Sequence, residues 1–204
     1  MSPISLADRL TGWRARPLAA CAVVATAVAA CVVSLIAAPG WPGWFGAALA
    51  LIAIAIAVID ARTFIIPNEL SAACFVLALA YAAVTEPQPL WAVFFAALRG
   101  AVLALLFLGV REGYRRLRGR DGIGLGDVKL AGCAGAWLSW LAMPVAIEIA
   151  ALAAIAVFAV RHYLGGRPFD AALKFPFGLF LGPSIWLGWL FDVTLLSLAN
   201  QAGL

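Results

Sequence analysis

The chain has 204 residues, 65% of them hydrophobic and 12% charged, with a formal net charge of +4. Soluble domains average about 45–50% apolar and about 25% charged residues, so a water-soluble globule is excluded and lipid is the solvent. The apolar runs are too long for the alternating strands of a membrane β-barrel, which leaves an all-α, polytopic membrane protein, and the positive charge in short loops speaks for membrane topology and against nucleic acid.

In chain order, Met1 to Pro17 carries Arg9, Arg14 and Arg16. It reads as a cytoplasmic or interfacial segment, with 18–204 forming one membrane-embedded domain. The first span is expected over Leu18 to Ala38. It is long enough to cross and more spans follow, which argues against a cleavable signal peptide. Pro39–Gly43 makes a turn, and the second span runs from Trp44 to Ile59, ending at Asp60. Pro67-Asn68 reads as a helix start with Asn68 as N-cap, and the third span covers Glu69 to Val84. After the turn Glu86–Pro89 the fourth span covers Leu90 to Val110, interrupted by Arg99. The largest polar loop, Arg111 to Gly126, holds Arg111, Arg115, Arg116, Arg118 and Arg120. Spans five, six and seven are expected over Asp127–Ala142, Val145–Val160 and Pro176–Leu198.

The charges test this count of about seven transmembrane helices. Of the 14 Lys and Arg, all but Arg99 lie in or beside the N-terminus and the loops after spans two, four and six. The basic side faces the cytoplasm, so the N-terminus is expected inside. Cys21, Cys31, Cys74 and Cys133 lie within or at the edge of apolar segments without a C-x-x-C pair. They read as small buried side chains, with no disulfide framework and no metal site.

This topology places Asp60 at the cytoplasmic end of span two and Asp127 at the cytoplasmic start of span five. The two can meet if their helices pack together. Asp127 at a helix N-terminus would also serve as a cap. Asp60 sits where the helix dipole disfavours a negative charge, although Arg62 offers a partner. Ionisable residues at membrane depth are functional hypotheses by default. Two carboxylates sharing a proton can hydrolyse a peptide: the ionised one takes a proton from water and the neutral one hydrogen-bonds the scissile carbonyl. Gly124 and Gly126 are expected to supply unusual dihedrals and close backbone approach beside Asp127, or simply a hinge. Lys129 is expected to point to another face of its helix and to snorkel or pair elsewhere rather than bridge to Asp127.

Other polar residues read as structural. Arg99 and Asp192 lie about 13 Å and about 9 Å from the outer face and are expected to pair, with Glu148 as second choice, because a lone charge in lipid forces a partner. Asp121-Gly122 reads as a turn and His162 as a solvated residue of the basic loop Arg161–Lys174. The basic loop Arg111–Arg120 reads as a topology determinant touching anionic lipid headgroups.

Three stretches carry a family resemblance: Asp60-Ala61-Arg62-Thr63-Phe64-Ile65-Ile66-Pro67-Asn68, Gly124-Leu125-Gly126-Asp127-Val128-Lys129-Leu130 and Phe175-Pro176-Phe177-Gly178-Leu179-Phe180-Leu181. In this order they resemble the motifs of type IV prepilin peptidases, membrane aspartic proteases of the Gly-x-Gly-Asp type. The resemblance implies a catalytic pair, Asp60 and Asp127. It implies supporting or substrate-binding positions at Gly124, Gly126, Lys129, Pro67, Asn68, Pro176, Phe177 and Gly178. It also implies an inner-membrane enzyme, working at the cytoplasmic face without metal or organic cofactor, that removes the basic leader from prepilins or pseudopilins after a glycine. The turn Pro39–Gly43 has no four-cysteine zinc segment of the larger members. The likeness is therefore to short, Flp-type peptidases, and methyl transfer is not expected. The competing readings are a proton- or cation-coupled transporter using Asp60 and Asp127, and a non-catalytic scaffold of a secretion system.

Overall fold

A computed structural model describes residues 6–119, 122–165 and 176–202. The side chains of Arg120, Asp121, Arg161, His162, Arg167 and Lys174 lie outside the described set, as does Phe175. The described residues form seven helices: α1 Leu6–Ala37, α2 Trp41–Thr63, α3 Asn68–Thr85, α4 Pro89–Arg118, α5 Leu125–Trp137, α6 Ala142–Gly165 and α7 Gly178–Ala202. Six of them are long and apolar enough to cross a membrane. Large side chains such as Leu105, Leu106 and Ile155 are left on the outside, as expected where lipid covers the bundle.

The exception is α5. It has 13 residues, about 20 Å of helix, where a crossing needs about 20 residues. It is also the helix at the centre: every residue from Leu130 to Trp137 is buried. Helices α3, α4 and α7 pack around it. Small residues let the neighbours come this close, as in membrane bundles generally. A Cβ on Gly135 would lie 2.5 Å from the Arg99 carbonyl oxygen, and one on Gly100 would lie 2.8 Å from the Gly132 carbonyl oxygen.

The expected span ends move for physical reasons. The helix α4 does not stop at Val110 but continues through half of the basic segment. Glu112 bridges to Arg115 at 2.9 Å and to Arg116 at 3.0 Å, the spacing that supports a helix. Its 30 residues span about 45 Å, so the basic end projects beyond a hydrocarbon core of about 30 Å. It ends at Gly119, whose φ of +67° closes the helix in the left-handed region.

At the other end, α5 stops at Trp137 instead of Ala142. Leu138 is extended, with φ −101° and ψ 149°, and Ser139 is claimed by α7. The Ser139 N–H donates to Asp192 Oδ2 at 2.9 Å and its hydroxyl donates to Asp192 Oδ1 at 2.7 Å. The Ser139 oxygen in turn accepts the Ala142 N–H at 3.1 Å, and the Ser139 carbonyl accepts that of Met143 at 3.0 Å. Asp192 therefore holds the turn that starts α6.

This corrects the expected Arg99–Asp192 pair. Arg99 is not in ion-pair contact with Asp192 or with Glu148, which is exposed on α6. Its Nε donates to the Gly135 carbonyl at 3.3 Å instead. The carbonyl is reachable because Gly135 has no side chain to hold α4 away.

Candidate active site

Asp60 stands in the last turn of α2, which runs on to Thr63, past the end expected at Ile59. The helix closes on Phe64, whose φ of +55° is left-handed and whose N–H donates to the Asp60 carbonyl at 2.9 Å. The Asp60 side chain is only 4% exposed. Arg62 is not in ion-pair contact with it. Two residues apart on a helix, the side chains face different ways, and Arg62 is exposed.

The partner of Asp60 comes from α7. The Leu179 N–H donates to Asp60 Oδ2 at 2.9 Å. First-turn N–H groups have no acceptor within their own helix, and the positive end of the helix dipole favours an anion there. Gly178 allows the approach, because a Cβ there would meet Asp60 Oδ2 at 3.0 Å and Ile66 Cδ1 at 2.7 Å. The Phe177 carbonyl accepts the N–H groups of Phe180 at 3.0 Å and Leu181 at 2.9 Å, opening the helix. Pro176 lies two residues before the first helical residue, so the span expected to open at Pro176 opens at Gly178.

Asp127 is the third residue of α5. Its Oδ2 accepts the Gly124 N–H at 3.2 Å, the carboxylate half of a capping box; Gly124 has no side chain to supply the other half. Asp127 therefore is a cap, as the sequence allowed. Burial pushes its pKa up to about 6; the Gly124 N–H works against this shift, and repulsion from Asp60 adds to it. The two carboxyls thus feel one another. The helices α2 and α5 make at most marginal contact, however, and α3 and α7 each pack against both. The pair is assembled by intermediaries.

Ile66 is the central intermediary. It is 8% exposed, and a Cβ on Gly126 would lie 3.0 Å from the Ile66 Cβ. With Gly178 on its other side, Ile66 spaces the start of α5 from the start of α7. Gly124 and Gly126 are thus used for their lack of a side chain. Neither has positive φ; among the described glycines only Gly40 and Gly119 do, so the expected unusual dihedrals are absent. A Cβ on Gly124 would sit 3.1 Å from Asp127 Oδ2.

Pro67 is the N-cap of α3, extended at φ −61° and ψ 136°, and Asn68 is its first helical residue. This corrects the N-cap role expected of Asn68. The Asn68 Oδ1 instead accepts a hydrogen bond from Lys129 Nζ, which ties the start of α3 to the first turn of α5. Of the positions singled out in the sequence, Asp60, Asp127, Gly124, Gly126, Lys129, Pro67, Asn68 and Gly178 gather at one end of the bundle. The residues missed are Leu179 and Ile66. Leu179 was signalled only indirectly, as a first-turn residue after Pro-Phe-Gly with a free N–H.

Two carboxyl groups, Asp60 held by the first turn of α7 and Asp127 capping α5, stand at one end of the bundle. The sequence profile of the type IV leader peptidase family matches residues 47–159, which include both aspartates, and the chain belongs to this family. It is 39% identical over 141 residues to a prepilin leader peptidase/N-methyltransferase of Burkholderia pseudomallei, covering 67% of this chain and 42% of the relative. It is 26% identical over 166 residues to the protein of that name from Aeromonas salmonicida, covering 79% and 54%. To leader peptidase HopD of Salmonella typhimurium it is 30% identical over 135 residues, covering 65% of this chain and 83% of the relative. The chain thus spans about half or less of the longer relatives. No solved structure matches.

Proposed function

We propose that this chain is an aspartic endopeptidase of the bacterial inner membrane that removes the basic leader of type IV, Flp-like prepilins or pseudopilins after a glycine. The observation that carries the reading is the pair Asp60 and Asp127 at one end of the bundle, with the N-terminus of α7 donating to Asp60. In the proposed orientation this end faces the cytoplasm, residues 1–17 lead in from that side, and 18–204 form one membrane-embedded domain.

The roles follow from the surroundings of each carboxyl. The Leu179 N–H and the positive end of α7 stabilise charge on Asp60, so Asp60 is the base. Asp127, with its pKa near 6, carries the shared proton. Water attacks the scissile carbonyl carbon, giving its proton to Asp60 while Asp127 protonates the carbonyl oxygen. As the C–N bond breaks, Asp60 passes that proton to the leaving nitrogen. Asp127 recovers its own from the hydroxyl of the new carboxyl group. The pair titrates jointly. Gly124, Gly126, Pro67, Asn68, Lys129, Pro176, Phe177 and Gly178 support the pair by placing the starts of α3, α5 and α7. Methyl transfer, which the names of the longer relatives include, is not part of the proposed activity.

Incubating the purified chain in detergent with a prepilin-type substrate, with product masses read by mass spectrometry, tests the reading. Cleavage after the glycine is expected. Ion flux through the chain in liposomes without any cleavage would favour a transporter instead.

A further inference from the structure

The basic end of α4 reads from the sequence as a topology determinant, but one of its arginines turns inward. Arg115, Arg116 and Arg118 are exposed. Arg111 is partly buried, and its Nε donates to the Ile123 carbonyl at 2.9 Å. Three residues on, and so on the same face of the helix, Tyr114 meets the same returning segment: a Cβ on Gly122 would lie 2.6 Å from Tyr114 Cδ1. The part of α4 that projects beyond the hydrocarbon core thus lies against residues 122–124, which lead into α5.

The Ile123 carbonyl and the Gly124 N–H belong to one peptide group. Such a group is planar and trans, so its C=O and N–H point in opposite directions and are fixed together. Arg111 donates to one end of it, and the other end donates to Asp127 Oδ2 at 3.2 Å. The Gly124 carbonyl accepts the Val128 N–H at 3.3 Å, which registers the same residue on the first turn of α5. Gly124 is exposed, so water competes for its N–H, and a hydrogen bond of this kind contributes only about 1 kcal/mol. The bond from the guanidinium to the carbonyl is charge-assisted, and it polarises the peptide so that the N–H becomes a better donor.

We propose that Arg111 is a positioning residue for Asp127: it holds the Ile123–Gly124 peptide in the orientation in which the Gly124 N–H fixes the Asp127 carboxyl. The proposal rests on the peptidase reading above. Around Asp127 stand Asp60 from α2, whose repulsion it feels, and Lys129 on its own helix, bonded to Asn68 at the start of α3. Glu69 on α3 is exposed, and α7 carries no ionisable side chain from Gly178 to Phe191. The influence of α4 on the carboxyl comes by way of the peptide.

Cleavage of a prepilin-type substrate by the full chain in lipid nanodiscs decides the matter. The Nε2 of a glutamine stands as many bonds from the backbone as the Nε of an arginine, whereas asparagine ends one bond short; neither carries the charge. Arg111→Gln is therefore expected to keep kcat within about 3-fold of wild type. Arg111→Asn should lose at least about 10-fold in kcat with KM changed less than about 3-fold. The Gly124 N–H holds the Asp127 pKa down, so loosening it in Arg111→Asn should move the alkaline limb of the kcat profile, where the pair loses its shared proton, to higher pH by at least about 0.3. Arg118→Gln, which removes an exposed charge from the same segment, should change neither kcat nor the limb. Thermal midpoints verify folding. Where Arg111→Asn does not fold, Arg111→Met, which keeps an apolar stem and removes the donor, replaces it with the same expectation. Equal loss in the Gln and Asn variants, or a folded Asn or Met variant with wild-type kcat or an unmoved alkaline limb, overturns the positioning role and leaves the peptidase standing. Absence of cleavage by the wild-type chain overturns both.

Discussion

The Leu179 N–H donates to the Asp60 carboxylate at 2.9 Å, joining the first turn of α7 to the last turn of α2 across 119 residues of sequence. One contact satisfies a helix-terminal donor and a carboxylate that is 4% exposed. An unpaired buried charge or N–H would otherwise cost several kcal/mol. The contact depends on Gly178 having no side chain. Gly178→Ala places a Cβ 2.7 Å from Ile66 Cδ1 and 3.0 Å from Asp60 Oδ2. Overpacking of this kind costs about 1–3 kcal/mol. The expected result is a lowered thermal midpoint and about 10- to 100-fold less cleavage, with Ile66→Ala in the same chain recovering part of the stability. Unchanged stability and activity in Gly178→Ala would contradict the packing described here.

Asp127 makes stability depend on pH. Its pKa rises from 3.8 to about 6 on folding, so between these values the folded chain binds more protons than the unfolded one. Stability then falls as pH rises through this window and levels off above it. Asp127→Asn removes the ionising group while its amide oxygen still accepts the Gly124 N–H. The variant should melt about 2–6 °C above wild type at pH 8, and the difference should shrink toward zero near pH 4. Melting curves in detergent at the two pH values check this; a variant less stable than wild type at pH 8 would contradict it.

The turn after α5 offers a test by coupling. Asp192 accepts two hydrogen bonds from Ser139 and does not contact Arg99, which bonds the Gly135 carbonyl. Residues in contact couple by about 0.5–3 kcal/mol, and distant ones add within about 0.5 kcal/mol. A double-mutant cycle of Ser139→Ala with Asp192→Ala should therefore show clear coupling. The cycle of Arg99→Gln with Asp192→Asn, which are not in ion-pair contact, should show the weaker coupling of the two, and a coupling as strong as that of Ser139 with Asp192 would restore the ion pair expected from sequence.

Much of the architecture is legible in the residues. Hydropathy locates the seven helices, of which six are long and apolar enough to cross where seven crossings were expected, and the motif order brings Asp60, Asp127 and Gly178 to helix ends that the fold gathers at one end. What hydropathy reports is where lipid is, and not where a helix stops. It missed that Glu112 carries α4 on to Arg118, and that the apolar stretch after Trp137 leaves the helix because Asp192 holds Ser139 from 53 residues away. The same limit applies to the site. Asn68 looked like a cap because Asn is a good one. Its partner, Lys129, is 61 residues distant, and local spacing carries no trace of it. Leu179 and Ile66 act through a backbone N–H and an apolar bulk, which no pattern of polar residues reveals.

The central claim is that Asp60 and Asp127 work as one pair. Single-turnover cleavage of a prepilin-type substrate by Asp60→Asn and by Asp127→Asn, each first verified as folded by its thermal midpoint, tests it most directly. Each variant should lose at least about 1,000-fold in rate, and the double variant should be no worse than the poorer single one. A folded single variant that cleaves at a rate near that of wild type would contradict the pair.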